Sequence, residues 1–144
     1  MSVSTSPVSV LLVEDDEIDI EAVLRSFRKL RIANPVTIAK DGLQALDILR
    51  GTNGATKITP PYLIILDLNM PRMNGHEFLA EIRNDPELKS SIVFVLTTSN
   101  DDKDRLDSYE MNVAGYMLKG KVGQSFLDAI GLLDHYWRVV EFPH

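Results

Sequence analysis

Cysteine is absent from this 144-residue chain. That excludes a disulfide framework, a thiol nucleophile and a cysteine zinc site. Histidine is scarce: His76, His135 and His144 are the three in the chain, too scattered to read as a metal cluster. No apolar run approaches the roughly 20 residues needed to cross a bilayer. The N-terminus lacks the basic-then-apolar pattern of a secretory signal. The expected location is therefore cytoplasmic, with no membrane partner. Positive charge is not in excess either. A net charge of −6 argues against sequence-independent binding to nucleic acid or to anionic membranes. Gly51, Gly54 and Gly75 have the wrong spacing for a Walker loop or a dinucleotide fingerprint.

What is present is an ordinary globular composition, 44% hydrophobic and 25% charged, at a length that suits one domain with a real core. The chain is organised around Leu63-Ile64-Ile65-Leu66-Asp67-Leu68-Asn69-Met70-Pro71-Arg72-Met73-Asn74-Gly75. Four aliphatic residues run unbroken to a carboxylate, as in a short strand buried on both faces of a parallel sheet. Asp67 then stands at the strand's carboxyl end, where open α/β sheets place their ligand crevices. Pro71, Asn74 and Gly75 mark the following turn, and Asn74 is placed to cap the next helix.

The rest of the chain repeats this pattern. Met1 to Pro7 reads as a loose N-terminal tail. Val8 to Val13 is a first strand ending in Glu14-Asp15-Asp16-Glu17, followed by a helix with Ile20, Val23, Leu24 and Phe27 at helical spacing. Arg28, Lys29 and Arg31 come late in that helix, where they complement its dipole. Val36 to Ala39 is a second strand. Asp41 caps a helix carrying Leu43, Leu46 and Leu49, stopping near Gly51. After a polar loop from Thr52 to Pro61 comes the Asp67 strand, then a helix with Phe78, Leu79 and Ile82 inward, closing near Asp85-Pro86. Ile92 to Leu96 is a fourth strand, ending in Thr97-Thr98-Ser99. A densely charged, marginal helix is expected from Asp101 to about Met111. Ala114 to Leu118 is a fifth strand ending in Lys119-Gly120, and a last helix runs from about Gly123 to Arg138. Five strands alternating with five helices imply right-handed crossovers and one five-stranded parallel sheet, doubly wound. No internal repeat or second domain is visible, so any DNA-reading domain would lie in another chain.

In a parallel sheet all carboxyl ends share one edge, so Glu14, Asp15, Asp67, Thr97 and Lys119 can converge. Three carboxylates together repel unless a cation sits among them, and hard oxygen ligands favour Mg2+ or Mn2+ over zinc. Acids at a helix N-terminus are favoured by the dipole, and that alone accounts for Asp16 and Glu17. The constellation suits phosphoryl transfer to a carboxylate, with Asp67 as nucleophile and the metal neutralising charge. Thr97 can donate to one phosphoryl oxygen and Lys119 can place its ammonium on another.

Four ordered motifs carry a resemblance: Leu11-Leu12-Val13-Glu14-Asp15-Asp16, Leu66 through Gly75, Val95-Leu96-Thr97 and Ala114-Gly115-Tyr116-Met117-Leu118-Lys119. Over Val8 to Arg138 the sequence resembles the receiver domain of bacterial two-component response regulators. The resemblance implies a (βα)5 flavodoxin-like receiver fold over residues 8–138, between the tail of residues 1–7 and a C-terminal extension of residues 139–144. It implies that Asp67 accepts a phosphoryl group from the phosphohistidine of a sensor histidine kinase. It further implies Asp15 as a direct metal ligand, Glu14 as a ligand through water and the Asn69 backbone carbonyl completing the site. Thr97 and Tyr116 match the family's switch pair, with a surface-packed strand aromatic as the plainer reading of Tyr116. Met70 and Met73 read as gap-filling contacts. One departure is Gly120, where the family usually has proline; a cis Lys119–Gly120 bond would cost about 2.5–4 kcal/mol.

The alternative is a haloacid-dehalogenase-type phosphatase, which also gathers a nucleophilic Asp, a Thr and a Lys around Mg2+. That family wants a second Asp where Asn69 stands, and a different motif order. The expected protein is thus a phosphoacceptor signalling protein rather than an enzyme. Within receivers, the Gly51–Pro61 loop, Lys119-Gly120 and Tyr136-Trp137-Arg138-Val139-Val140-Glu141 resemble single-domain regulators paired with phytochrome-type light-sensing kinases. On a helical wheel Phe126, Ile130, Leu133 and Trp137 form a stripe for the core, while Leu132, Tyr136 and Val139 form a second. With Val140 and Phe142, that second stripe is expected to pair two copies into a homodimer.

Overall fold

The computed structural model describes residues 8–68, 70, 73–97 and 112–129. Its centre is β3 (Tyr62–Asp67), in which every residue after Tyr62 is buried. β1 (Ser9–Val13) lies parallel on one side, pairing Val10 with Leu63 and Val13 with Leu66. β4 (Val93–Thr97) lies parallel on the other, pairing Ile64 with Val93 and Asp67 with Leu96. β2 (Val36–Ala39) and β5 (Gly115–Leu118) are the edges, giving a five-stranded sheet of order β2-β1-β3-β4-β5 with every pair parallel.

Because successive strand residues face opposite ways, the aliphatic runs of β1 and β3 feed two cores. Leu11, Val13, Ile64 and Leu66 pack on one face with Leu46, Leu49, Phe78, Leu79 and Ile82 of the helices α2 (Gly42–Arg50) and α3 (Gly75–Arg83). Val10, Leu12, Leu63 and Ile65 pack on the other with Ile20, Val23 and Phe27 of α1 (Glu17–Lys29) and with Val122 and Phe126. The last two belong to residues 122–129, which are helical. The expected doubly wound α/β sheet is therefore present.

Local chemistry sets the helix ends. Asp16 caps α1, accepting from the backbone of Ile18 and Asp19. Asp41 caps α2 through Gln44, and Gly51 closes it in the left-handed conformation at φ 69°, where a side chain would be strained. Asn74 and Glu77 form a reciprocal capping box on α3.

Several expectations shift. β1 starts at Ser9 and β5 at Gly115, one residue later than the apolar runs suggest. β4 is displaced to Val93–Thr97, so Thr97 belongs to the strand itself. In α2, Ala45, Leu46 and Leu49 are buried and Leu43 is exposed. Position 43 lies about 100° around the helix from the buried face of Gly42, Ala45, Leu46 and Leu49. Lys119 follows β5 and opens a 3-10 turn, Lys119–Lys121. The one cis peptide among the described residues is Pro60–Pro61, so Lys119–Gly120 is trans. The charged helix expected after β4 lies outside the described residues, as does the last helix beyond residue 129.

Candidate functional site

The strand order reverses direction between β1 and β3, and such a switch point opens a crevice beyond the carboxyl ends of the two strands. Glu14 follows β1 there, its N–H still donating to the Ala39 carbonyl at 2.9 Å, and its side chain is wholly buried. Asp67, the last residue of β3, is also buried. Asp15 is half-buried beside them. One carboxylate oxygen from each of Glu14, Asp15 and Asp67 lies within 4.8 Å of the others. The β3–β4 register matches Asp67 with Leu96, so the buried Thr97 stands one step further along the same edge. Lys119 reaches in from the end of β5, its Nζ 3.5 Å from Glu14 Oε1 and 3.8 Å from Asp67 Oδ1.

The loop after Asp67 is held by a close approach. Gly75 N–H donates to the Leu68 carbonyl at 3.0 Å. A Cβ on Gly75 would sit 2.5 Å from Leu68 Cα, a clash with backbone that cannot move aside cheaply. The Asn-Gly pair therefore lets α3 begin directly against the chain leaving the phosphoacceptor candidate. Met70 is buried in the α2–α3 core and Met73 packs against it. Both make packing contacts there.

The electrostatics are lopsided. Burial, with the neighbouring Asp67 adding to it, pushes the Glu14 carboxyl up to about 9. Glu14 Oε2 accepts from the Asp15 N–H at 3.1 Å, whereas Oε1 has no hydrogen-bond partner. Its contact with Lys119 is a charge interaction without an aligned hydrogen bond. For Lys119, burial works against the ammonium. Its hydrogen bond to Asp19 and the charges of Asp67 and Glu14 outweigh that, and its pKa is raised. A buried carboxylate oxygen with no donor, beside two more carboxylates, fits a hard divalent cation with an oxygen shell. Glu14, Asp15 and Asp67 are the side chains that would hold it.

Asp19 was not among the sequence candidates, yet its Oδ2 is the tightest partner of Lys119 Nζ, at 2.8 Å. Its signal was faint: an acid one helical turn after Asp15, in a first turn where acids are ordinary. The plain reading of its neighbours holds, since Asp16 is the cap and Glu17 pairs with Lys40. Tyr116 sits on β5 opposite Val95, half-buried against the α2–α3 core. Asn69, Leu132, Tyr136, Val139, Val140 and Phe142 lie outside the described residues.

Comparison with known proteins agrees with this arrangement. The family model for the response regulator receiver domain matches residues 10–130. The response regulator Rcp1 of Synechocystis sp. is 35% identical over 134 residues, covering 93% of this chain and 91% of Rcp1. Among solved structures, the bacteriophytochrome response regulator RtBRR superposes with a TM-score of 0.78 at 36% identity, covering 88% of this chain and 77% of that one. The Mn2+-bound form of Rcp1 superposes with a TM-score of 0.63 at 34% identity, over 91% and 94% of the two chains.

Proposed function

Since the chain belongs to the response regulator receiver family, a family of signalling proteins, we propose that Asp67 is its phosphoacceptor and that a phytochrome-type sensor histidine kinase is the donor. The observation that carries this reading is the meeting of Glu14, Asp15 and Asp67 at the switch point, within 4.8 Å. An Asp67 carboxylate oxygen attacks the phosphohistidine phosphorus. An O–P bond forms, the P–N bond breaks, and the imidazole leaves with the electron pair. The divalent cation of the family, Mg2+ in this reading, supplies neutralising charge to nucleophile and phosphoryl oxygens. Asp67, Asp15 and the Asn69 carbonyl would hold it directly, and Glu14 would do so through water. Thr97 donates its hydroxyl to one phosphoryl oxygen and the Lys119 ammonium faces another, so that charge gathering on the group is met from two sides. Thr97 and Tyr116 then form the switch that alters affinity for partners, and no substrate is turned over. The pairing with a phytochrome-type kinase is supported by the likeness to the bacteriophytochrome response regulator RtBRR, over 88% of this chain and 77% of that one. The proposed setting is the cytoplasm, in one receiver domain over residues 8–138.

The test is Asp67→Asn. The variant should lose all acid-labile, hydroxylamine-sensitive labelling by the partner kinase while keeping its fold; unchanged labelling would sink the assignment. The proposal includes a homodimer built on Leu132, Tyr136, Val139, Val140 and Phe142. In sedimentation, a form ending at Arg138 should dissociate at micromolar concentrations that leave the full chain dimeric. A truncated form that pairs equally tightly would place the interface elsewhere.

A further inference from the structure

Lys119 lies within 4 Å of three carboxylates, and the way it divides itself among them runs against their need. Its hydrogen bond goes to Asp19, at 2.8 Å, whose side chain is 30% exposed. Glu14, wholly buried and with an oxygen lacking any donor, receives the ammonium only at 3.5 Å. Asp67, 7% exposed, receives it at 3.8 Å. A buried carboxylate gains more from a cation than a half-solvated one does. The lysine would therefore settle on Glu14 and Asp67 if Asp19 did not hold it.

The fold makes this arrangement rigid from the α1 side. Phe27 of α1 and Phe126 stack with ring centroids 4.9 Å apart. The Gly123 N–H donates to Ser26 Oγ at 2.7 Å, and a Cβ on Gly123 would collide with the Ser26 backbone. The start of the helical residues 122–129 is thus seated on α1. That seating fixes the Lys119–Lys121 turn beside the first turn of α1, one hundred residues away in sequence.

We propose that Asp19 is a positioning residue for Lys119. Its carboxylate draws the ammonium to the rim of the crevice in the resting protein, leaving Glu14, Asp15 and Asp67 to the divalent cation, and gives it up to the phosphoryl group once Asp67 is modified. The inference rests on the phosphoacceptor reading of Asp67, but its first test needs no phosphoryl transfer. Without Asp19 the lysine falls back on Glu14 and Asp67 and competes with the metal for the same oxygens.

The experiment is a titration with Mn2+, followed by the loss of the free-ion electron paramagnetic resonance signal, on the wild type, Asp19→Asn, Lys119→Met and the double variant. Asp19→Asn should weaken Mn2+ binding about tenfold, the scale of one displaced charge at close range in a partly screened site. In the Lys119→Met background the same change should weaken it no more than about twofold, which is the direct loss of a rim charge. An equal loss in both backgrounds would overturn the proposal, because Asp19 would then act by its own charge; so would no loss in either. A second measurement uses the unmutated chain. Beryllofluoride with Mg2+, a mimic of aspartyl phosphate, should shift both the Lys119 side-chain nitrogen and the Asp19 carboxyl carbon resonances. An Asp19 carboxyl that does not respond would mean the lysine never leaves it, and would overturn the hand-over. Failure of Asp67→Asn to abolish labelling would count against the phosphoacceptor alone.

Discussion

The two edges of the sheet treat polar groups in opposite ways. At the carboxyl edge Glu14 is buried with one oxygen lacking a donor, and two further carboxylates crowd it. At the amino edge polar side chains stitch the strand entries together. Half-buried Arg83 donates to the carbonyls of Lys89, Ser91 and Asn112, all at 2.8–2.9 Å. Asn34 donates to the Val8 carbonyl, and the Tyr62 and Ser91 hydroxyls meet at 2.9 Å. Burial alone therefore does not mark function. A buried charge whose partners are backbone carbonyls holds the fold, whereas one left short of partners, facing like charges, reports the ligand that completes it.

The largest effect that would sharpen this contrast is at Arg83. Arg83→Ala removes three charge-assisted hydrogen bonds that tie the end of α3 to the entries of β4 and β5. The expected loss is about 2–3 kcal/mol of folding stability, read as a lower denaturation midpoint, with Mn2+ affinity within about twofold of wild type. A large loss of metal binding in a folded Arg83→Ala protein would show that the two edges are not separable.

Glu14 should respond in the opposite sense. In the metal-free protein its carboxyl is raised from 4.5 to about 9, while in the unfolded chain it titrates near its ordinary value. Between those two pH values the native state holds a proton that the unfolded state has lost. Stability from this group is thus fully present below about 4.5 and is lost as pH rises through about 9. A divalent cation bound among these carboxylates would take the place of that proton, so added Mg2+ should raise the melting temperature more at pH 8 than at pH 6. Glu14→Gln should flatten the pH dependence, stabilise the metal-free protein at pH 8 by about 1–2 kcal/mol, and abolish most of the Mg2+ response. A variant less stable than wild type under those conditions would mean that the glutamate is held by something other than desolvation.

The carboxyl edge was the more legible of the two in sequence, for a physical reason. Asp67 ends an apolar strand, Glu14 and Asp15 follow one, Thr97 closes another and Lys119 succeeds a fourth. Parallel pairing then forces those ends together whatever the loops do. Arg83 gave no such signal. A basic residue in the last turn of a helix reads as a dipole complement, and its acceptors stand six, eight and 29 residues away. Asp19 was hidden similarly, because its partner lies across the fold and only the docking of residues 122–129 on α1 brings them together. Leu43 shows a different limit: an apolar residue of α2 that lies about 100° around the helix from the buried face of Gly42, Ala45, Leu46 and Leu49 stays exposed.

The smallest expected effect concerns Tyr62. It is the first residue of β3, half-buried, with its hydroxyl 2.9 Å from Ser91 Oγ just before β4. Tyr62→Phe keeps the ring against the α2–α3 core and removes the hydroxyl alone. A neutral hydrogen bond at a partly wet site contributes on the order of 1 kcal/mol or less, and water can replace the lost partner of Ser91. The variant should therefore lose under about 1 kcal/mol by chemical denaturation, less than Arg83→Ala by a factor of about two or more. Because the change lies at the opposite edge from Asp67, the phosphorylation rate and the Mg2+ response should stay at wild-type values. A Tyr62→Phe protein that kept its stability but altered its metal affinity would break the comparison, since it would show β3 transmitting a change from one edge to the other.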